Sequence, residues 1–168
     1  MGLYERAAAL FERAAQLKPD DYIALCVLAS LYKTLGRPEE FLSTARRCLE
    51  RARAEVAARP TNALAISFGA VAWAYVGDNA RAQEYADRAV VVDPEDYMVR
   101  YLVACVHALL GNVDAALASL ERMVSGASRW QQWVLGVIQH DSDWDTLRGN
   151  ARFAAFLKRL ESELAAQT

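Results

Sequence analysis

GDNARAQEYADRAVVVDPED, residues Gly77 to Asp96, is a helical stretch held between two kinds of punctuation. Gly77 opens it, at a place where a helix has just ended and a left-handed residue is cheap only for glycine. Pro94 closes it, followed by Glu95 and Asp96, whose side-chain oxygens suit the free N–H groups at the start of a helix. The same marks recur on both sides. Gly77 to Gly111 is 34 residues, and so is Pro60 to Pro94. Gly36 to Gly77 is 41, and so is Pro19 to Pro60. The difference of seven is about two helical turns. Its natural place is Phe41–Ala58, a helix that runs longer than its counterparts. KPDD (Lys18 to Asp21), RPTN (Arg59 to Asn62) and DPED (Asp93 to Asp96) are then equivalent links, each ending in a residue fit to cap the next helix.

Aligning Ala63–Asn79 with Tyr97–Val113 places Trp73 on His107, Gly77 on Gly111 and Ala70 on Ala104. Continuing the register puts Ala82 on Ala116. Small residues allow helices to approach closely, and large ones fill the space between neighbours. Composition agrees. The 168 residues include 32 Ala but 3 Ile and 5 Thr. Alanine is the best helix former, and β-branched residues favour strands. The chain is expected to be all-α, with helix, Gly turn, helix, Pro turn as its unit.

A 34-residue helix–turn–helix unit with this distribution resembles the tetratricopeptide repeat (TPR). Gly77, Ala82, Ala89 and Pro94 match one repeat, and Leu25, Leu28, Ala29, Tyr32 and Gly36 match the first helix of the one before. Phe41 departs, standing where Ala82 and Ala116 stand in the other units. The resemblance implies a right-handed superhelix of antiparallel helix pairs, an α-solenoid. The expected division is residues 3–19 as the second helix of a truncated repeat, a long repeat at 22–60, and repeats at 63–94 and 97–125. A degenerate capping pair follows at 128–166. Ala7, Phe11, Ala14 and Pro19 fit a second helix that lacks its first, so the chain reads as a fragment of a longer polypeptide. Its apolar stripe, Leu3, Ala7, Leu10, Phe11 and Ala14, then lacks a partner and is a possible homodimer face. At the other end Arg129–Gln139 reads as a first helix. Asn150 can cap a last helix bearing Phe153, Phe156, Leu157 and Leu160, with Trp144 and Leu147 packed beneath it. YLVACVHALLGNVDAALASLERMV with DSDWDTLRGNARFAAFL also resembles the C-terminal TPR tails of multidomain bacterial regulators. These include adenylate/guanylate cyclases and some serine/threonine kinases.

Charge narrows the function classes. Nineteen basic and twenty-one acidic residues give a net charge of −2. This balance argues against a basic nucleic-acid surface or a polybasic membrane anchor. No apolar run reaches the ~18 residues of a membrane helix. Cys26, Cys48 and Cys105 are odd in number and form no CxxC pair, so they read as reduced, buried side chains of a cytoplasmic protein. Asp141, Asp143 and Asp145 begin like a calcium loop, but the sixth and twelfth positions are Thr146 and Arg152, not Gly and Glu. Helix capping is the better account of these acids. His107 sits where Tyr32 and Trp73 sit in other units and reads as a packed aromatic. His140 falls at a helix end. No Cys/His group has zinc spacing, and phosphate-binding or nucleophile-elbow motifs are absent. The Arg46, Arg47, Arg51, Arg53 and Arg59 cluster reads as a solvated outer face. Neither metal, cofactor nor enzymatic activity is expected.

The resemblance implies a concave groove lined by the first helix of each unit. Carried over position by position, that set is Ile23, Cys26, Ser30 and Lys33, then Leu64, Ser67, Val71 and Ala74, then Met98, Tyr101, Cys105 and Ala108. Tyr75 and Leu109 fall at the rim. Only Lys33 is basic, so a clamp for acidic peptide tails does not fit. The groove suits a protein partner offering an apolar helix or extended segment. The rival expectations are self-association through the N-terminal stripe, and a groove partly filled by the chain's own neighbouring helix.

Overall fold

A computed structural model describes residues 2–124 and 128–166, with side chains at all of these except 128–130. The helices are α1 (Leu3–Leu17), α2 (Tyr22–Thr34), α3 (Pro38–Ala58), α4 (Ala63–Tyr75), α5 (Asn79–Val92) and α6 (Tyr97–Leu109). After them come α7 (Val113–Val124), α8 (Ser128–Ile138), a 3-10 turn (Ser142–Leu147) and α9 (Ala151–Ala165). The described residues contain no strand. The architecture is an all-α solenoid of antiparallel helix pairs with a capping helix. The repeat boundary expected at 125 lies outside the described residues.

Local signals set the helix ends. Asp21, Asn62 and Asp96 accept backbone N–H groups of the first turns of α2, α4 and α6. Asn150 does so for α9. Gly36, Gly77 and Gly111 follow α2, α4 and α6 with φ of 66°, 85° and 73°, and a side chain there would be strained. The extra seven residues sit in α3, which has 21 residues against 14 in α5. In the first turn of α3, Phe41 meets the Tyr75 ring edge-on at 5.1 Å.

Packing runs mainly between chain neighbours, with a second set of contacts joining α2 to α4 and α4 to α6. That second set makes the inner wall. ALAISFGAVAWAY, the sequence of α4, is apolar nearly all round, as a helix enclosed on every side must be. Ala65, Ile66, Ala70, Val71 and Ala72 are buried there, flanked by α2, α3, α5 and α6. The outer helix α5 buries only Ala82, Ala86 and Ala89, one narrow alanine stripe.

Candidate functional site

The inner wall supplies one face of a pocket of about 400 Å³. Its residues come from α1 (Tyr4), α2 (Ile23, Cys26, Val27, Ser30, Leu31, Thr34), α4 (Phe68, Val71, Tyr75) and α6 (Met98, Tyr101, Leu102, Cys105). Trp133 and Val137 of α8 and residues His140, Asp141 and Asp143 complete it. Of the residues expected to face the groove, Ile23, Cys26, Ser30, Val71, Met98, Tyr101 and Cys105 meet here. Lys33, Leu64, Ser67, Ala74 and Ala108 do not line the pocket. Ser67 is fully buried and donates to Ala63 O at 2.8 Å, within its own helix. Leu64 and Ala74 pack against the core.

Lys33 and Ala108 are engaged by a different part of the chain. The segment from Asp141 into the 3-10 turn lies across the groove. Lys33 Nζ donates to Asp143 Oδ1 at 2.8 Å and to Ser142 O at 3.1 Å. Tyr75 OH donates to Asp143 Oδ2 at 2.7 Å, and Tyr101 OH to Asp141 Oδ2 at 2.9 Å. Thr146 Oγ1 donates to Ala108 O at 2.6 Å. Trp144 is fully buried, parallel to the Phe153 ring at 5.5 Å, with its indole N–H towards Tyr101 OH. The groove is therefore partly filled from within the chain, by the segment that follows α8. Tyr4 OH reaches His140 O at 3.3 Å and closes the pocket between α1 and that segment.

The three aspartates divide their roles. Asp141 does cap the 3-10 turn, accepting from Asp143 N, and Asp145 pairs with Arg148 at 2.7 Å. Asp143 is no cap. It is buried, and burial together with the Asp141 charge pushes its carboxyl up to about 6 against the pull of Lys33 and Tyr75. Its partners Tyr75 and Lys33 stand 68 and 110 residues away, so its local sequence reads only as that of a helix-capping acid. Burial also drives the Tyr75 and Tyr101 hydroxyls and the Cys105 thiol well upward. Cys26 moves the same way, chiefly through its contact with Cys48 and then through burial. Such thiols are not poised as nucleophiles. Cys105, Asp141 and Asp143 offer donor atoms within 4.8 Å of one another. A metal there would compete with the Lys33 ammonium for Asp143.

Elsewhere, His107 is buried, and desolvation lowers its pKa, as for a packed aromatic. On α1 the structure splits the apolar stripe. Leu3 and Leu10 are 79% and 72% exposed, while Ala7 and Ala14 are half-buried. Phe11 turns instead against the core, and Leu17, at 71%, joins the open row.

The model of the tetratricopeptide repeat family matches residues 1–63 and 71–131, well over half the chain. The chain is a tetratricopeptide repeat protein. Among solved structures, this TPR chain is similar to TTC0263, a thermophilic TPR protein of Thermus thermophilus. The identity is 23% over 97% of this chain and 89% of that one, with a TM-score of 0.51. It is also similar to MamA at 17% identity over 98% and 84%, TM-score 0.46. At 23% identity the likeness to TTC0263 speaks for the fold alone. No curated protein matches by sequence. TPR domains bind protein partners, and no helix among the described residues is long and apolar enough to cross a membrane.

Proposed function

We propose that this TPR chain is a non-catalytic interaction module whose partner anchors apolar side chains of a helix or extended segment in the concave pocket. The supporting observation is the pocket itself, with apolar walls from α2, α4, α6 and α8 and a half-open mouth at Ile23 and Met98. The intramolecular segment shortens the groove, so the reading requires a short anchor and not a long peptide laid along it. We place the module in a larger cytoplasmic bacterial regulator, of which a nucleotide cyclase is the type that the sequence resembles. An intact mass in the source cell well above 18.6 kDa is the expected result for that placement.

The mouth must be tested at its exposed edge. Val71 and Tyr101 are 1% and 5% exposed, and a charge on either would unfold the core it sits in. Peptides selected from a displayed library against the full chain should share an apolar anchor. Their affinity should fall at least about tenfold with Ile23→Asp or Met98→Asp at unchanged helicity, a loss of about 1.4 kcal/mol. Selected peptides indifferent to both substitutions would defeat the pocket reading.

One observation favours a second reading. Leu3, Ala7, Leu10, Ala14 and Leu17 alternate by four and three, the spacing of a coiled-coil seam. Self-association through α1 predicts a dimer in light scattering that Leu10→Glu with Leu17→Glu turns into monomer. A monomer at every concentration would remove this reading.

A further inference from the structure

The geometry points to a ligand site for a small organic ammonium: an apolar body among Val71, Met98 and Val137, with its cationic head against the Asp141 carboxylate and the Tyr101 and Trp133 rings. This goes beyond the protein-partner reading and does not depend on it.

Shape comes first. The space is about 400 Å³, within the range of small-molecule sites, and it is half open, lined by residues of α1, α2, α4, α6 and α8 with His140, Asp141 and Asp143. The segment from Asp141 to Thr146 crosses the groove at Lys33, Tyr75, Tyr101 and Ala108. What is left is a chamber, suited to a compact ligand.

Charge decides the sign of the head group. Asp141 and Asp143 line the chamber beside His140, and among the described side chains no Lys or Arg lines it. Lys33 stands behind them and pairs with Asp143. Arg148 is committed to the Asp145 carboxylate and to the carbonyls of Ile138 and Asp141. Among the described residues, the Asp141 carboxylate accepts from neutral donors alone, namely Tyr101 OH, Ser30 Oγ and the Asp143 N–H. An anionic head would face two carboxylates, whereas a cation would meet an unmatched negative charge in a setting only partly open to water.

The aromatic rings supply the second half of the recognition. Tyr101 and Trp133 meet edge to face at 4.8 Å and 76°, forming a corner beside Asp141. An organic ammonium drawn to Asp141 gains cation–π attraction where it comes over a ring face left uncovered by this pair, within about 6 Å of the centroid.

The test is a titration of the full, methyl-labelled chain, followed by NMR, with octylammonium chloride, octanol and sodium octanoate below their micellar concentrations. The expected result is octylammonium binding about tenfold or more tighter than octanoate, and tighter than octanol. Methyl shifts should fall on Ile23, Val71, Met98 and Val137 and spare Leu3, Leu10 and Leu17. Asp141→Asn keeps a capping oxygen for the 3-10 turn and should reduce the preference over octanoate to below about threefold. Should that variant fail to fold, Trp133→Leu should weaken octylammonium by about threefold while leaving octanol unchanged. Octanoate or octanol binding as tightly as octylammonium would overturn the proposal. So would shifts confined to the α1 leucines, silent pocket methyls, or a preference untouched by both variants.

Discussion

Asp143 binds its proton more tightly in the folded protein than in the unfolded chain. Its carboxyl is pushed up to about 6 by burial and by Asp141, against an ordinary value near 3.9. The stability it contributes is therefore fully present below about pH 4 and lost as pH rises through about 6. Asp143→Asn should flatten the fall in unfolding free energy over that window, which urea titrations at a series of pH values will read. Lys33 is the group that keeps the charged form tolerable. Lys33→Met should cost about 3 kcal/mol at pH 7.5, the penalty of an unpaired buried carboxylate, and clearly less at pH 5, where Asp143 can take a proton. An equal loss at both pH values would mean the pair does not carry the effect. The turn chemistry at this scale was legible in the sequence. Asp21, Asn62, Asp96 and Asn150 cap helices within three residues of themselves, and Gly36, Gly77 and Gly111 bend the chain where they stand. The Lys33–Asp143 pair was not legible, because 110 residues separate its members and neither has a local sign of the other.

Among elements, the 3-10 turn does more than join α8 to α9. It sends Trp144 into a slot between Tyr101 of α6 and Phe153 of α9, and Leu147 beside it is also buried. Trp144→Ala should destabilise by about 3–5 kcal/mol, measured by chemical denaturation. Because the turn touches α2 and α6, the loss should appear in the unfolding of the whole chain and not in α9 alone. The sequence foretold a short turn with Trp144 and Leu147 packed beneath the last helix. It did not show that the turn would enter the groove, since periodicity marks a helix's buried face but not what covers it. At the junction of α4 and α5, Gly77→Ala forces a left-handed alanine and should cost about 1 kcal/mol. No neighbouring atom lies within 4 Å of the added carbon, so the cost is one of backbone alone.

The molecule as a whole departs from a simple stack. Helical repeats usually contact only their neighbours, and their stability is close to a sum over units. Here the C-terminal segment reaches α2, α4 and α6, and His140 touches α1. Unfolding followed by far-ultraviolet dichroism and by tryptophan fluorescence should therefore coincide for the intact chain. A double substitution, Lys33→Met with Tyr101→Phe, should separate the two transitions. Coincident curves in the double variant would show that neighbour contacts alone enforce cooperativity. The tyrosine on the first helix, bonded to a carbonyl 136 residues further on, has a mechanical meaning too. A coil of repeats is a spring that lengthens smoothly under load. With Tyr4 tied to His140, the turns between them are a fastened buckle: a pull applied between those two points meets the clasp first, and the coil there can pay out only after the clasp lets go.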